Sequence, residues 1–300
     1  LDGDFKNAMP NYHWRLKRWK RWSDGPPYPE WHGETLEGKS ILVFAEQGVG
    51  DQVMFMSLLP DLISTSDEVY VECDPRLVKL FQRSFPRVDF LPVINTDRVE
   101  TGNRTPDFQV AMGSLGCWLW DEFEQRRKVS YLVADAAQSK RIQARYRKHN
   151  RKTLVGISWS SPLGKFPGLK SLKLNDLAPL FKMQDAIVID LQYGDTAEER
   201  KALEASHQIS LLHDQDINQL EDIDIFAAQV AAMDVVLTVS NSVAHIAGAL
   251  GVPTIVLLPP APQWKWSGDS ADSIWYPNVY LVRRSLDESV ESHVERAVDL

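Results

Sequence analysis

Short apolar runs alternate with helix-period segments along most of the chain, and the alternation comes in two bouts. The first predicts strands over residues 40–46, 68–73, 88–93 and 107–112, with helices over 51–64 and 75–84. The polar stretch 95–106 reads as a loop, and a basic helical segment, 136–152, separates the halves. The second bout predicts strands over 153–159, 186–192, 208–213, 234–239 and 254–258, with helices over 174–181, 196–206, 223–233 and 243–250. A last helix starts near Asp287 and is placed to pack back across the first domain. β-rich runs alternating with helices form βαβ units around parallel sheets, so the fold class is α/β with two Rossmann-like, doubly wound sheets. Sheets of this kind bind ligands beyond the carboxyl ends of their strands, and two in tandem place a cleft between those ends.

The expected organisation is an N-terminal aromatic and basic segment (1–37), a first Rossmann-like domain (38–135), a linker helix (136–152), a second such domain (153–285) and a C-terminal helix (286–300). The opening segment has too little apolar surface to fold alone and must lean on another domain. Its basic run from Arg15 to Arg21 reads as a solvated face, with a partner-contacting or membrane-surface role as the alternative.

Residues 235–259 are the most informative stretch: a buried strand, a polar turn at Ser240, Asn241 and Ser242, a short helix and another buried strand. A helix opening with Ser and Asn after a parallel strand presents backbone N–H groups and a positive dipole end to the crevice, which suits a phosphate. His245 lies one turn into that helix. The plainer alternative is that Ser and Asn cap the helix and His245 is a satisfied imidazole. Gln192, Tyr193 and Asp195 end the preceding strand-and-turn unit, where Gln192 is placed to read a base or ribose or to close a strand-terminal hydrogen bond.

The first half has its own turn, Glu46-Gln47-Gly48-Val49-Gly50-Asp51-Gln52-Val53. No Gly-Lys-Ser/Thr follows, so it is not a Walker loop. It approaches a dinucleotide fingerprint, with Glu72 where a ribose-binding acid would stand, but Val53 replaces the third glycine. Asp51 would moreover sit among the N–H groups meant for a pyrophosphate and repel it. The expectation is that the glycines make a tight turn and that Asp51 faces the cleft, with a capping role as the alternative.

The net charge of −8 argues against a general nucleic-acid binder, while 33 Lys and Arg leave local phosphate contacts open. Cys73 and Cys117 have neither metal-site nor disulfide-framework spacing, which favours a reducing, cytoplasmic setting. No apolar run approaches the ~20 residues of a membrane span, and no signal-peptide pattern opens the chain.

The turn 46–53, Ile189-Asp190-Leu191-Gln192-Tyr193-Gly194-Asp195, the segment 240–251, and Pro262-Gln263-Trp264-Lys265-Trp266 followed by Ser273-Ile274-Trp275-Tyr276-Pro277 together resemble bacterial tetratricopeptide-repeat-associated glycosyltransferases, relatives of the lipopolysaccharide heptosyltransferases. The resemblance covers about residues 35–285, each motif being weak alone and the four in order jointly specific. The opening Gly3-Asp4-Phe5-Lys6-Asn7-Ala8 with Tyr12-His13-Trp14-Arg15 resembles the tail of a tetratricopeptide repeat, of which no complete copy is present.

The resemblance implies a GT-B fold and a metal-independent transferase without a resident cofactor. Its partners are a nucleotide-diphosphate sugar as donor and a protein or glycan hydroxyl as acceptor. Asp51 matches the family's candidate base, and Ser240, Asn241, Ser242 and His245 would surround the diphosphate. Lys170, or alternatively Lys165, would stabilise the leaving diphosphate. Many relatives have Asp-Thr where this chain has Ser240-Asn241, which removes a carboxylate from the turn. Trp264, Trp266, Trp275 and Tyr276 stand for base or sugar stacking or, alternatively, interdomain packing. A nicotinamide-dependent oxidoreductase and a catalytically silent sugar-nucleotide-binding module are the competing readings.

Overall fold

The computed structural model describes residues 4–18, 28–93, 101–126, 129–148, 151–161, 168, 170–209, 211–266 and 268–300. The chain divides into two compact units, Leu1–Val133 and Ala134–Leu300.

In the first unit, β1 (Ser40–Phe44), β2 (Glu68–Cys73), β3 (Asp89–Pro92) and β4 (Phe108–Ala111) form a parallel sheet in the order β3-β2-β1-β4. β1 is buried at all five positions, as a central parallel strand covered on both faces must be. The helix expected over 51–64 is broken into Val49–Phe55, a 3₁₀ turn Met56–Leu58 and Leu59–Ile63. Pro60 lacks the N–H that would continue the ladder, so the chain restarts with it in the first turn of the next helix.

The N-terminal segment leans on this unit as expected. Asp4 caps the helix Phe5–His13, which buries Phe5 and Met9, while Leu16 joins Phe44 and Ala111. Phe5 stacks on Trp120 with ring centroids 5.5 Å apart. Met9 Sδ lies so near Gly116 that a side chain there would start 3.0 Å from it.

In the second unit, β5 (Thr153–Ser158), β6 (Ala186–Asp190), β7 (Val235–Val239), β8 (Thr254–Leu258) and β9 (Val279–Arg283) make a parallel sheet in the order β6-β5-β7-β8-β9. Among the described residues, the strand expected over 208–213 pairs as a single bridge, Leu212 to Ile189. β9 was not expected; its five residues follow a loop rich in Trp and Pro that hides the period-2 signal. Segment 174–181 winds as a 3₁₀ helix, Leu174–Lys182, around Pro179.

The helix Ala136–Arg147, expected as a linker, packs on Ile223–Val230 inside the second unit. Tyr146 donates to Asp214 at 2.6 Å and accepts from Gln229 at 2.8 Å, and Arg147 pairs with Asp234 at 2.7 Å. The final helix, Val290–Val298, lies on the Leu174–Lys182 segment, β8 and β9, so its buried face is used within the second unit. No helix among the described residues is long and apolar enough to cross a membrane.

Candidate functional site

The order of the second sheet reverses between β5 and β7, and the crevice outside the carboxyl ends of those two strands is where open α/β sheets place ligands. Three strand ends are sewn together there. Gln192, just beyond β6 and 2% exposed, accepts from the Trp159 and Ser160 N–H groups at 3.1 and 2.8 Å and from Ser158 Oγ at 2.9 Å. Its Nε2 donates to Tyr193 O at 3.0 Å. The backbone N–H of Gln192 donates to the fully buried Asp190, which also accepts from Thr196 at 2.7 Å and faces His213 at 3.0 Å.

Asn241 completes the seam. Its Oδ1 caps the helix Ser242–Leu250 by accepting the Val243 N–H at 3.0 Å, and its Nδ2 donates to Ser158 Oγ at 2.8 Å and Ser160 O at 3.1 Å. The amides of Gln192 and Asn241 are thereby turned into the fold, where they set the shape of the crevice floor. Ser240 accepts from Trp266 Nε1 at 2.7 Å and donates to Gln263 at 3.1 Å. Ser242, half-buried, is the first residue of the helix.

His245 is buried one turn further on. Its Nδ1 meets the Tyr276 hydroxyl at 2.9 Å, and its ring stacks on Trp266 at 5.0 Å. Gly248 is required beside this cluster, because an added Cβ would lie 2.6 Å from the Tyr276 ring. Burial, followed by the charges of Lys265 and Lys170, holds the His245 pKa well below its usual 6.5, so the ring is neutral at physiological pH. Both ammonium groups are thus near enough to act on the His245 ring. Lys170 is the lysine expected at the diphosphate; Lys165 lies outside the described residues. Lys265 was missed, although it sits between two tryptophans in the loop after β8. Trp266, Trp275 and Tyr276 are buried within the second unit, and Trp275 Nε1 donates to Lys265 O at 3.0 Å.

The turn after β1 is built differently. Gln47, not a glycine, takes the left-handed conformation at φ 62°, while Gly48 caps the following helix at φ −90°. This corrects the expectation that the glycines supply the tight turn. Asp51 stands half-buried in the first helical turn, with Oδ2 accepting the Gly48 N–H at 3.4 Å, so its capping contact is present but long. Glu46 is buried and accepts the Gly113 N–H at 2.6 Å. Arg15 reaches it with Nε at 2.7 Å and a second guanidinium bond, and also donates to Tyr12 O and Ser114. Arg15 is therefore a half-buried ion-pair partner and not a solvated charge, while Lys17 is exposed; residues 19–21 lie outside the described residues. Glu72 turns its buried carboxylate onto the Ala45 N–H at 3.1 Å, a backbone role that takes away the feature favouring a ribose-binding acid. Among the described residues no group of three or more His, Cys, Asp or Glu side chains could hold a metal ion.

Two parallel α/β sheets with this arrangement make a GT-B-like fold of the heptosyltransferase type. The solved glycosyl transferase family 9 protein from Veillonella parvula matches with a TM-score of 0.61 at 11% identity, covering 84% of this chain and 88% of that one. The E. coli ADP-heptose lipopolysaccharide heptosyltransferase II matches with a TM-score of 0.57 at 14% identity, covering 86% of this chain and 98% of that one. In sequence the chain is 28% identical over 295 residues to protein FlbA of Caulobacter vibrioides, covering 86% of this chain. It spans about half, 46%, of that relative's length. No family model matches the sequence.

Proposed function

We propose that the chain is a glycosyltransferase that moves a sugar from a nucleotide-diphosphate donor to a protein or glycan hydroxyl, without a metal or resident cofactor. The observation that carries this reading is a neutral helix N-terminus at the β5/β7 reversal in a heptosyltransferase-like fold, with Lys170 and Lys265 near enough to act on His245 one turn into that helix. Backbone N–H groups, Ser242 and two cations suit a diphosphate, with Ser240 held behind them by Trp266 and Gln263, and cations placed at the leaving group stabilise the charge that develops as the glycosidic bond breaks. Gln192, Asn241 and His245 act as positioning residues in this reading, because their polar groups are engaged by the fold.

Asp51 is proposed as the general base for the acceptor hydroxyl, which needs a carboxylate within hydrogen-bond reach in the reactive complex. A similar fold is seen in E. coli heptosyltransferase WaaC with ADP-2-deoxy-2-fluoro heptose, with a TM-score of 0.54 and 11% identity, covering 87% of this chain and 98% of that one. An ADP-sugar is accordingly the first donor to try. Association with tetratricopeptide repeats and a cytoplasmic setting belong to the same proposal.

The test is to incubate the protein with ADP-, UDP-, GDP- and CMP-sugars and follow nucleotide release. Release from one donor class that disappears in Lys170→Ala and in Asp51→Ala supports the assignment. Binding of a sugar nucleotide without turnover toward any protein or glycan offered would favour the silent module.

A further inference from the structure

The two faces of the second sheet are used differently. Right-handed crossovers running in opposite directions along a sheet lie on opposite faces. The β5-to-β6 connection, with its Leu174–Lys182 segment, therefore lies across the sheet from the helix Ser242–Leu250 that links β7 to β8. The C-terminal helix shares the face of the Leu174–Lys182 segment. On that face a pocket of about 380 Å³ opens at the carboxyl ends of β7, β8 and β9.

Its apolar surface comes from Leu172, Val239, Leu257, Leu258, Pro259 and Val290. Its charged members are Lys170, Lys173, Arg284 and one acid, Asp176. Asp176 is engaged by the backbone N–H of Lys173 at 2.7 Å, at the start of the 3₁₀ segment. Neither the Lys173 ammonium nor the Arg284 guanidinium has an ion-pair partner among the described residues. Arg284 is held in place through its backbone, whose N–H donates to Leu258 O at 3.0 Å. His293, 2% exposed, also lines the pocket. Its Nε2 donates to Val282 O at 2.8 Å, and its buried Nδ1 has no hydrogen-bond partner among the described residues.

We propose that this pocket is a second ligand site, which takes a small organic anion with an apolar body. The strand ends would hold the body, and Lys173 and Arg284 the anionic group. A cationic rim over an apolar floor discriminates against each half of such a ligand taken alone, since inorganic phosphate leaves the floor wet and a neutral aromatic leaves the rim unpaired. The site stands on the face away from the 240–245 turn and does not depend on the transferase reading; Lys170 borders both.

Phenyl phosphate is the probe, with inorganic phosphate and phenol as its separated halves and benzoate as the carboxylate form. Calorimetry of the whole chain is expected to give phenyl phosphate or benzoate an affinity at least about tenfold above either half, the better of the two naming the anionic group. Lys173→Gln and Arg284→Gln are each expected to lower it by about tenfold, with unchanged melting temperature and unchanged ADP affinity. Val290→Trp, which fills the pocket from the start of the C-terminal helix, is expected to abolish it, and the ring resonances of His293 should move on titration of the wild type. Equal affinity for inorganic phosphate, or binding that survives Arg284→Gln while ADP displaces it, would overturn the second site.

Discussion

The turns after β1 and after β7 are both strand-to-helix turns at a reversal of sheet order, yet they carry opposite chemistry. The first is dense in carboxylates: Glu46, Asp51 and, from the neighbouring strand, Glu72, balanced by Arg15 from the N-terminal segment. The second is neutral and capped by an amide, with two lysines near enough to act on His245 in the helix it opens. A helix N-terminus attracts anions only when its own side chains do not already supply one. The contrast is what the proposed function rests on: it would seat the phosphate at the turn after β7 and leave the turn after β1 as the place for a base.

The largest expected effect falls on the acidic turn. Asp51→Ala should lower turnover by roughly 10²–10⁴-fold with donor affinity little changed, the signature of a group acting in the transition state. Steady-state kinetics together with donor calorimetry check this; a loss confined to donor affinity would make both turns nucleotide sites and end the contrast.

Next comes the support of that turn. Arg15→Ala leaves Glu46 buried without its cation and should destabilise the first unit by about 3 kcal/mol, read by urea unfolding. Arg15→Lys should recover only part of it, because a bidentate fork is replaced by a point charge. Full stability in Arg15→Ala would mean that the acidic turn holds itself.

At the neutral turn, Asn241→Ala removes a helix cap and two bonds to the end of β5, and about 1–2 kcal/mol of stability is expected to go with them. Asn241→Asp keeps the cap but replaces the amide donor to Ser158 Oγ and Ser160 O with a negative charge beside the helix N-terminus. Nucleotide affinity should fall more than stability, which calorimetry and thermal melts measured together would separate.

The smallest effect is a pH dependence. His245 is held neutral by burial, so its folded pKa lies below the unfolded value and protons bind preferentially to the unfolded chain at acid pH. The stability from this residue is complete above about pH 6.5 and is lost as the pH falls below that value. His293 and His13 shift in the same direction, mainly through burial, and add to the slope. Melting temperatures between pH 7.5 and 5.5 should fall with acidity, and less steeply in His245→Phe. An equal slope in the variant would show that His245 does not contribute.

Both turns were legible in the sequence because each is a local pattern: an apolar run, a few small or polar residues, and a helix. Their partners were not. Arg15 meets Glu46 across 31 positions, and Glu46 meets Gly113 across 67, so a basic run read by itself resembled a solvated face. Gln47 hid its positive φ beside two glycines that are the usual carriers of one. Lys265 was obscured by the tryptophans around it, whose packing decides where it points. β9 and the single-residue bridge at Leu212 show the same limit for the sheet, since short edge segments are decided by what they pair with more than by their own pattern.

The central claim, that the turn after β7 with Lys170 and Lys265 holds a diphosphate, is tested most directly by calorimetry of ADP, AMP and adenosine against the wild type, Lys170→Met and Lys265→Met. The account predicts that ADP binds more tightly than AMP or adenosine and that each methionine variant lowers ADP affinity by about tenfold while leaving adenosine unchanged. ADP binding no tighter than adenosine, or indifferent to both substitutions, would contradict it.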